Sequence, residues 1–312
     1  MGTPESAVPS LQRLLKDGHD IAAVWTQPDK PAGRGDKLHA PPIKDFALQH
    51  GLTVEQPKKI RTQEAADLFA SYAADTAVVV AYGRILPPEL LRAPRRGCIN
   101  VHFSLLPLYR GAAPANWAIV NGEAKTGVTT MFIEEELDSG PILLQRETSI
   151  GETETAPELM QRLAVSGAEL LGETLAQLGE LTPRPQHHRD ATLAPLLRKQ
   201  DGLINWSTSA AAIERCVRGF QPWPSAYTEH KAPKSSRLIV WKAAVTPSAS
   251  PASTDAHAGE VLVAHGDDLV VKCGDETALR LLEVQPEAKR RMSVRDFLNG
   301  AHLKIGDRLG EV

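Results

Sequence analysis

Apolar positions in the first half of the chain follow two alternating periods. Short apolar runs at Ile21 to Trp25, Leu52 to Glu55, Thr76 to Ala81, Cys98 to Phe103, Gly127 to Ile133 and Ile142 to Thr148 read as strands. Between them, helical spacing at Val8, Leu11, Leu14 and Leu15 is followed by helix patterns near Ile43 to Gln49, Gln63 to Ala73, Pro88 to Arg92 and Ala113 to Val120. Alternation of strand and helix predicts an α/β domain. The unbroken apolar run from Thr76 to Ala81 fits a strand covered on both faces of a mostly parallel sheet. Thr155-x-x-Glu158 is a capping-box pattern, and Leu159, Leu163, Leu170, Leu171, Leu175 and Leu178 give the helix after it an apolar face. From Leu181 to about Gln200 the composition turns to Pro, His, Arg and Thr, as in an interdomain linker. Beyond Asp201 the pattern is a helix from about Ala210 to Arg218, then short strands at Leu238 to Ala243, Glu260 to Ala264, Leu269 to Lys272 and Leu279 to Val284. That half predicts a small, mostly β domain, read as a barrel. The expected division is 1–181, a linker over 182–200, and 201–312.

Composition narrows the class. With 312 residues the chain is long enough for two cores; 42% hydrophobic and 23% charged residues are ordinary for a globular protein, and no apolar run approaches a bilayer span. A net charge of -3 excludes bulk attraction to nucleic acid, so any such binding depends on local clusters. Cys98, Cys216 and Cys273 are far apart and lack C-x-x-C spacing, which predicts three free thiols in a reducing cytosol and no structural zinc. The start of the chain lacks the basic and apolar regions of a signal peptide. His187 and His188 are adjacent, without the i, i+4 spacing of a metal pair. No G-x-G-x-x-G is present, so a dinucleotide is not expected.

Chemistry is expected at Cys98-Ile99-Asn100-Val101-His102-Phe103, which runs into the Pro- and Gly-marked loop Ser104 to Gly111. Side chains alternate along a strand, so Asn100 and His102 share one face while Ile99, Val101 and Phe103 share the other. Two polar groups then converge at a strand end, where α/β sheets bind ligands; the alternative is a buried pair satisfying each other's hydrogen bonds. The acidic loop Glu134 to Pro141 offers a carboxylate to orient an imidazole. Asp138, just before the Ser139-Gly140-Pro141 turn, is the candidate over Glu134, Glu135 and Glu136. Lys30, Arg34 and Lys37 sit in a long Pro- and Gly-rich loop over residues 26–37, and Lys289, Arg290 and Arg291 with Arg295 form the densest basic group of the second half.

These features together resemble the folate-dependent formyltransferases over nearly the whole chain. The resemblance rests on Gly2-Thr3-Pro4, the loop from Thr26 to Gly35, Val80-Ala81-Tyr82-Gly83, Asn100-x-His102-x-Ser104-Leu105-Leu106-Pro107, Arg110 to Pro114 and Leu137-Asp138-x-Gly140. The Pro-Ala-Gly-Arg-Gly loop, with Ile204-Asn205-Trp206-Ser207 and Phe220 to Pro224, is similar to the tRNA-directed branch. The resemblance implies a Rossmann-like catalytic domain with an OB-like second domain. It implies transfer of formyl from 10-formyltetrahydrofolate to the amino group of methionyl-initiator tRNA, in the cytoplasm, by a monomer without a metal. Asn100, His102 and Asp138 would be catalytic. Ser104, Leu105, Leu106 and Pro107 would lie beside the folate, with Tyr82 and Gly83 as the neighbouring wall. Lys30, Arg34, Lys37, Lys289, Arg290 and Arg291 would meet RNA. Two other readings are an acceptor that is a sugar nucleotide or other small amine, and a catalytically weak tRNA-binding protein. The resemblance also implies a strand ahead of Gly2 that this sequence does not contain, so two neighbouring strand edges are expected to lie unpaired.

Overall fold

The computed structural model describes residues 1–31, 38–230, 236–246 and 256–310. They form two compact units, one of Met1–Pro114, Lys125–Ser149 and Leu159–Pro195, the other of Ala115–Ala124, Ile150–Glu158 and Leu196–Val312.

In the first unit, Ala77–Val79, Cys98–His102, Lys125–Phe132 and Ile142–Ser149 form a four-stranded sheet in that order. The first pair is parallel and the other two are antiparallel. A separate parallel pair joins Val24–Trp25 to Val54–Glu55. The strand expected from Ile21 is therefore only two residues long. Between the two sheets lie Met1 and Gly2: Gly2 N–H donates to Trp25 O at 3.0 Å, and Val80 N–H donates to Met1 O at 2.9 Å. A groove of about 450 Å³ runs along the same two edges, lined by Ile21 to Trp25 and Thr76 to Val78. Two residues satisfy only a few of the ladder groups that two facing edges present.

The long helix is Ala156–Ala176, and Glu158 accepts from Thr155 N–H at 2.8 Å as the capping pattern predicts. Leu159, Leu163 and Leu171 are fully buried, each worth roughly 1.5–3 kcal/mol of burial free energy. Gly167 brings the helix against the sheet, since a Cβ there would lie 2.8 Å from Val101 Cγ1. The helix thus covers the Ile99, Val101 and Phe103 face of the central strand. Asn100 and His102 are left on the opposite face.

Residues 184–195, expected as linker, belong to the first unit. Arg184 exchanges backbone hydrogen bonds with Ile142 at 2.8 Å each way, and Leu193–Ala194 pairs in parallel with Arg110–Gly111. Low hydrophobicity hid these pairings because they are made by backbone groups and a few polar side chains.

The second unit carries a six-stranded antiparallel sheet built from Ala226–His230, Ser236–Thr246, Val261–His265, Asp268–Lys272, Ala278–Pro286 and Met292–Ser293. The first of these strands and the helix Val294–Gly300 were not anticipated. Helix Ala210–Gly219 places Ile213 and Val217 in a core with Leu238, Val240, Leu279 and Leu281. Residues 115–124 also pack here, with Trp117 edge-on to Phe220 and Asn116 Nδ2 donating to Gly219 O at 2.7 Å.

Among the described residues no helix is long and apolar enough to cross a membrane. All three cysteines are free, and burial pushes the thiols of Cys98 and Cys273 up to about 12 and that of Cys216 up to about 11. Thiolate, the reactive form, is then scarce at mildly alkaline pH. Titration with a disulfide reagent should find three thiols in the denatured chain and almost no fast reaction in the native one; a rapidly reacting native thiol would contradict this packing.

Candidate active site

The site is assembled at the end of the Cys98–His102 strand. His102 is 6% exposed, and its Nε2 lies 2.9 Å from the carbonyl oxygen of Tyr109. A carbonyl can only accept, so Nε2 carries a proton. The other ring nitrogen, Nδ1, faces Asp138 Oδ2 at 3.7 Å. One further proton, on Nδ1 or on the carboxyl group, turns that close approach from two facing lone pairs into an attraction. The His102 and Asp138 side chains thus form a two-site proton holder. Asn100 is half-buried on the same strand face and its amide makes no hydrogen bond among the described residues.

Asp138 reaches His102 from a loop, with backbone φ at 49°, a left-handed conformation that Asp adopts more readily than most residues. Its Oδ2 accepts from Gly111 N–H at 2.8 Å. Gly111 has φ at 125°, and a Cβ there would stand 2.5 Å from Ala194 O, so only glycine lets this backbone pass. Glu134, Glu135 and Glu136 are exposed.

The loop after His102 is held from the neighbouring strand. Thr129, opposite His102 in the antiparallel register, donates to Ser104 O at 2.7 Å and accepts from Leu106 N–H at 3.2 Å. Gln145 Nε2 donates to Leu106 O at 2.8 Å, and Ser104 Oγ donates to Leu108 O at 2.6 Å. These bonds engage much of the backbone of the loop that the resemblance sets beside the folate. Ser104, Leu106 and Tyr82 are buried, Leu105 and Pro107 are half-buried, and Gly83 is exposed. The buried Ser104 and Leu106 side chains support the loop from within. Just after Gly83 the chain lines a cavity of about 450 Å³ bounded by Arg61, Thr62, Ile85, Leu86, Pro87 and Glu135. Sequence reading stopped at Gly83 and missed it.

Sequence reading also missed Gln186. It is 7% exposed, and its amide nitrogen donates to the carbonyls of Asp138 at 2.9 Å and Gly140 at 2.8 Å. Its oxygen accepts from buried Arg110 through Nε at 3.1 Å and Nη2 at 2.7 Å. A glutamine in a Pro- and His-rich stretch carries no periodic signal; only the site turn it grips gives it away.

Of the basic residues, Lys30 is exposed at the stem of a short hairpin in which Lys30–Pro31 pairs with Leu38–His39. Arg34 and Lys37 lie outside the described residues. The hairpin base is tied by Asp29, which accepts from Lys44 and Gln56 at 2.8 Å; these bonds hold its carboxyl below the usual range. Any stabilisation from that shift is present above the ordinary aspartate value and lost as pH falls through the depressed one. Lys289 and Arg290 are exposed in the turn before Met292–Ser293, whereas Arg291 pairs with Glu283, and Arg295 pairs with Asp267. Among the described residues no group of three or more His, Cys, Asp or Glu is placed to hold a metal ion.

With this geometry in view, comparison with known proteins is decisive at the family level. Residues 1–175 match the formyl transferase family and residues 196–302 match the formyl transferase C-terminal domain. The chain belongs to the formyl transferase family. It is 46% identical over 312 residues to a methionyl-tRNA formyltransferase of Geobacter metallireducens, covering 99% of this chain and 97% of the relative. It is 46% identical over 309 residues to the protein of that name from Caldanaerobacter subterraneus, covering 98% and 97%. Among solved structures, an N-formyltransferase from Helicobacter canadensis in complex with folinic acid and dTDP-3-aminofucose aligns with a TM-score of 0.64 at 18% identity, covering 90% of this chain and 96% of that one. That likeness shows that the fold extends to distant formyl transferases.

Replacing Gly111 by Ala should strain the backbone, push Ala194 away and withdraw the N–H from Asp138. Formyl transfer is expected to fall at least about tenfold and unfolding free energy by about 1–3 kcal/mol. Steady-state kinetics with a denaturant titration checks both, and a variant matching the parent in both would show that this contact does not hold Asp138.

Proposed function

We propose that this formyl transferase moves the formyl group of 10-formyltetrahydrofolate to the α-amino group of methionyl-initiator tRNA, for initiation of translation. The observation that carries the reading is the match, at 46% identity across both units, to proteins named for that reaction.

The residues present fit a folate. A cavity of about 450 Å³ that mixes apolar Ile85, Leu86 and Pro87 with polar Arg61, Thr62 and Glu135 suits a flat bicyclic ring with a polar edge, and lies within the usual size of ligand pockets. Ile85, Leu86 and Pro87, just after Gly83 in the chain, would line one side of it. When bound, 10-formyltetrahydrofolate supplies the formyl carbon and the nitrogen that leaves.

The protein's part then follows from its side chains. Asn100, half-buried and with an amide that makes no hydrogen bond among the described residues, donates to the formyl oxygen as negative charge grows there. One such preplaced donor typically contributes about 3–4 kcal/mol of barrier lowering. The His102 imidazole beside it contributes positive charge once Nδ1 is protonated, and Asp138 keeps that proton within reach at 3.7 Å. The attacking amine must lose a proton, and the His102 and Asp138 pair, on the same strand face as Asn100, can hold it. The strand keeps Asn100 and His102 in register with one another, and the Gly111 N–H and Gln186 hold Asp138 beside His102.

For the acceptor, Lys30, Arg34 and Lys37 are assigned to the tRNA acceptor end, and Lys289, Arg290 and Arg291 to phosphates along its flank. We place the chain in the cytoplasm on its free thiols and its translation substrate, and propose that it acts as a monomer.

The deciding experiment incubates the protein with 10-formyltetrahydrofolate and either methionyl-initiator or methionyl-elongator tRNA, and measures formylmethionine after deacylation. Product from the initiator alone is expected; product only with amino sugars attached to nucleotides would overturn the acceptor. His102→Ala should lower kcat by about a hundredfold or more while tRNA affinity stays within about twofold. Retention of full turnover would remove His102 from the reaction. Replacing Lys289 and Arg290 together by Ala should reduce the slope of log K for tRNA against log salt by about one to two, with kcat at saturating tRNA unchanged. An unaltered slope would take that turn off the RNA surface.

A further inference from the structure

Asp138 stands where the chain has no regular structure to hold it. Its backbone is left-handed at φ 49°, it precedes a turn, and Leu137 before it is 54% exposed. Left to itself such a residue exchanges between conformations at little cost. What fixes it comes from a segment more than forty residues later.

Gln186 is saturated. The amide group has two N–H donors and two acceptor lone pairs, and every one is used: the donors on Asp138 O and Gly140 O, the acceptor oxygen on Arg110 Nε and Nη2. Orientation of the amide is unambiguous, because a guanidinium can only donate and a carbonyl can only accept. Arg110 is in turn fixed by His188, whose Nδ1 accepts from Arg110 Nη1 at 3.3 Å. The peptide units on both sides of the turn that carries Asp138 are therefore clamped from one side chain. The Asp138 carboxylate is clamped from another direction by Gly111 N–H, the residue next to Arg110. Arg110 and Gly111 thus link both holds on Asp138, and both are secured by residues 186–194 through Gln186, His188 and the pairing with Leu193–Ala194.

We infer that Gln186 is a positioning residue for formyl transfer: by gripping the carbonyls of Asp138 and Gly140 it holds the Asp138 carboxylate against His102 Nδ1. The inference deepens the reading of His102 and Asp138 as the proton-handling pair and rests on it. Gln186 is 7% exposed and its amide is engaged within the protein. Its whole effect is transmitted through Asp138.

The test is a double-mutant cycle with a direct view of His102. Gln186→Met keeps length and volume but removes the hydrogen bonds to Asp138 O, Gly140 O and Arg110. Gln186→Glu keeps an acceptor for Arg110 and loses the donors to the two carbonyls. Both are expected to lower kcat by about tenfold to a hundredfold, with KM for either substrate within about twofold. In an Asp138→Asn background the same changes should cost less than about a further twofold, since the group they position is already altered. Additive losses in that background, or full activity of Gln186→Glu, would assign Gln186 to structure alone and overturn the proposal. In ¹⁵N-histidine-labelled protein the His102 ring signals, assigned by their absence in His102→Gln, should move in both Gln186 variants toward their position in Asp138→Asn. Unmoved His102 signals in folded variants would equally overturn it. The spectrum needs no turnover, so a failure of the proposed acceptor or reaction is distinguishable from a failure of this positioning role. Should Gln186→Met not fold, Gln186→Glu carries both arms under the same criteria.

Discussion

A carboxylate must be kept 3.7 Å from an imidazole nitrogen although the two arise from different kinds of structure, and this constraint organises the first unit. His102 is easy to place: it ends a strand paired on both sides and backed by a buried helix. Asp138 is hard to place, because a loop residue in left-handed conformation gains nothing from a ladder. The fold resolves the asymmetry with polar contacts from outside the loop. Gly111 N–H grips the carboxylate and Gln186 grips the backbone. Buried Arg110 and Gln186 satisfy one another, so the arrangement tolerates burial that either alone would resist.

The second constraint is the turn between His102 and Arg110. Thr129 and Gln145, on the two strands that follow in the sheet, bind the backbone of Ser104 and Leu106. Their side chains do for this loop what a further strand would do for a ladder. The consequence is chemical as well as structural: the Tyr109 carbonyl, at the far end of the same turn, is the acceptor that sets the proton on His102 Nε2. A sheet register, one threonine and one carbonyl together determine which imidazole nitrogen faces Asp138.

Much of this was legible from residue order. Period-two and helical spacing located most elements of the first unit, and the strand carrying Asn100 and His102 stood out because two polar residues interrupt an otherwise buried pattern. Asp138 was legible as the acidic residue against a turn, set apart from a run of three exposed glutamates. Strand lengths were not: the Ile21 run yields two paired residues, because a ladder needs a partner edge as well as apolar side chains. The Ala226–His230 strand was missed beside a Trp- and Pro-rich turn that obscured its alternation.

The sequence by itself determined the class of the fold, the polar face of the central strand, the capped helix behind it and the polar residue types of the candidate site. Periodicity and residue type are local properties, and they survive without knowledge of neighbours. Tertiary structure decided the rest. It brought residues 184–195 back onto the first unit through backbone pairing, turned Ser104 and Leu106 inward, and set Gln186 against Asp138 across 48 positions of chain. Contacts of that kind depend on where two distant segments meet, and a hydrogen bond between a glutamine and a carbonyl leaves no period in either segment.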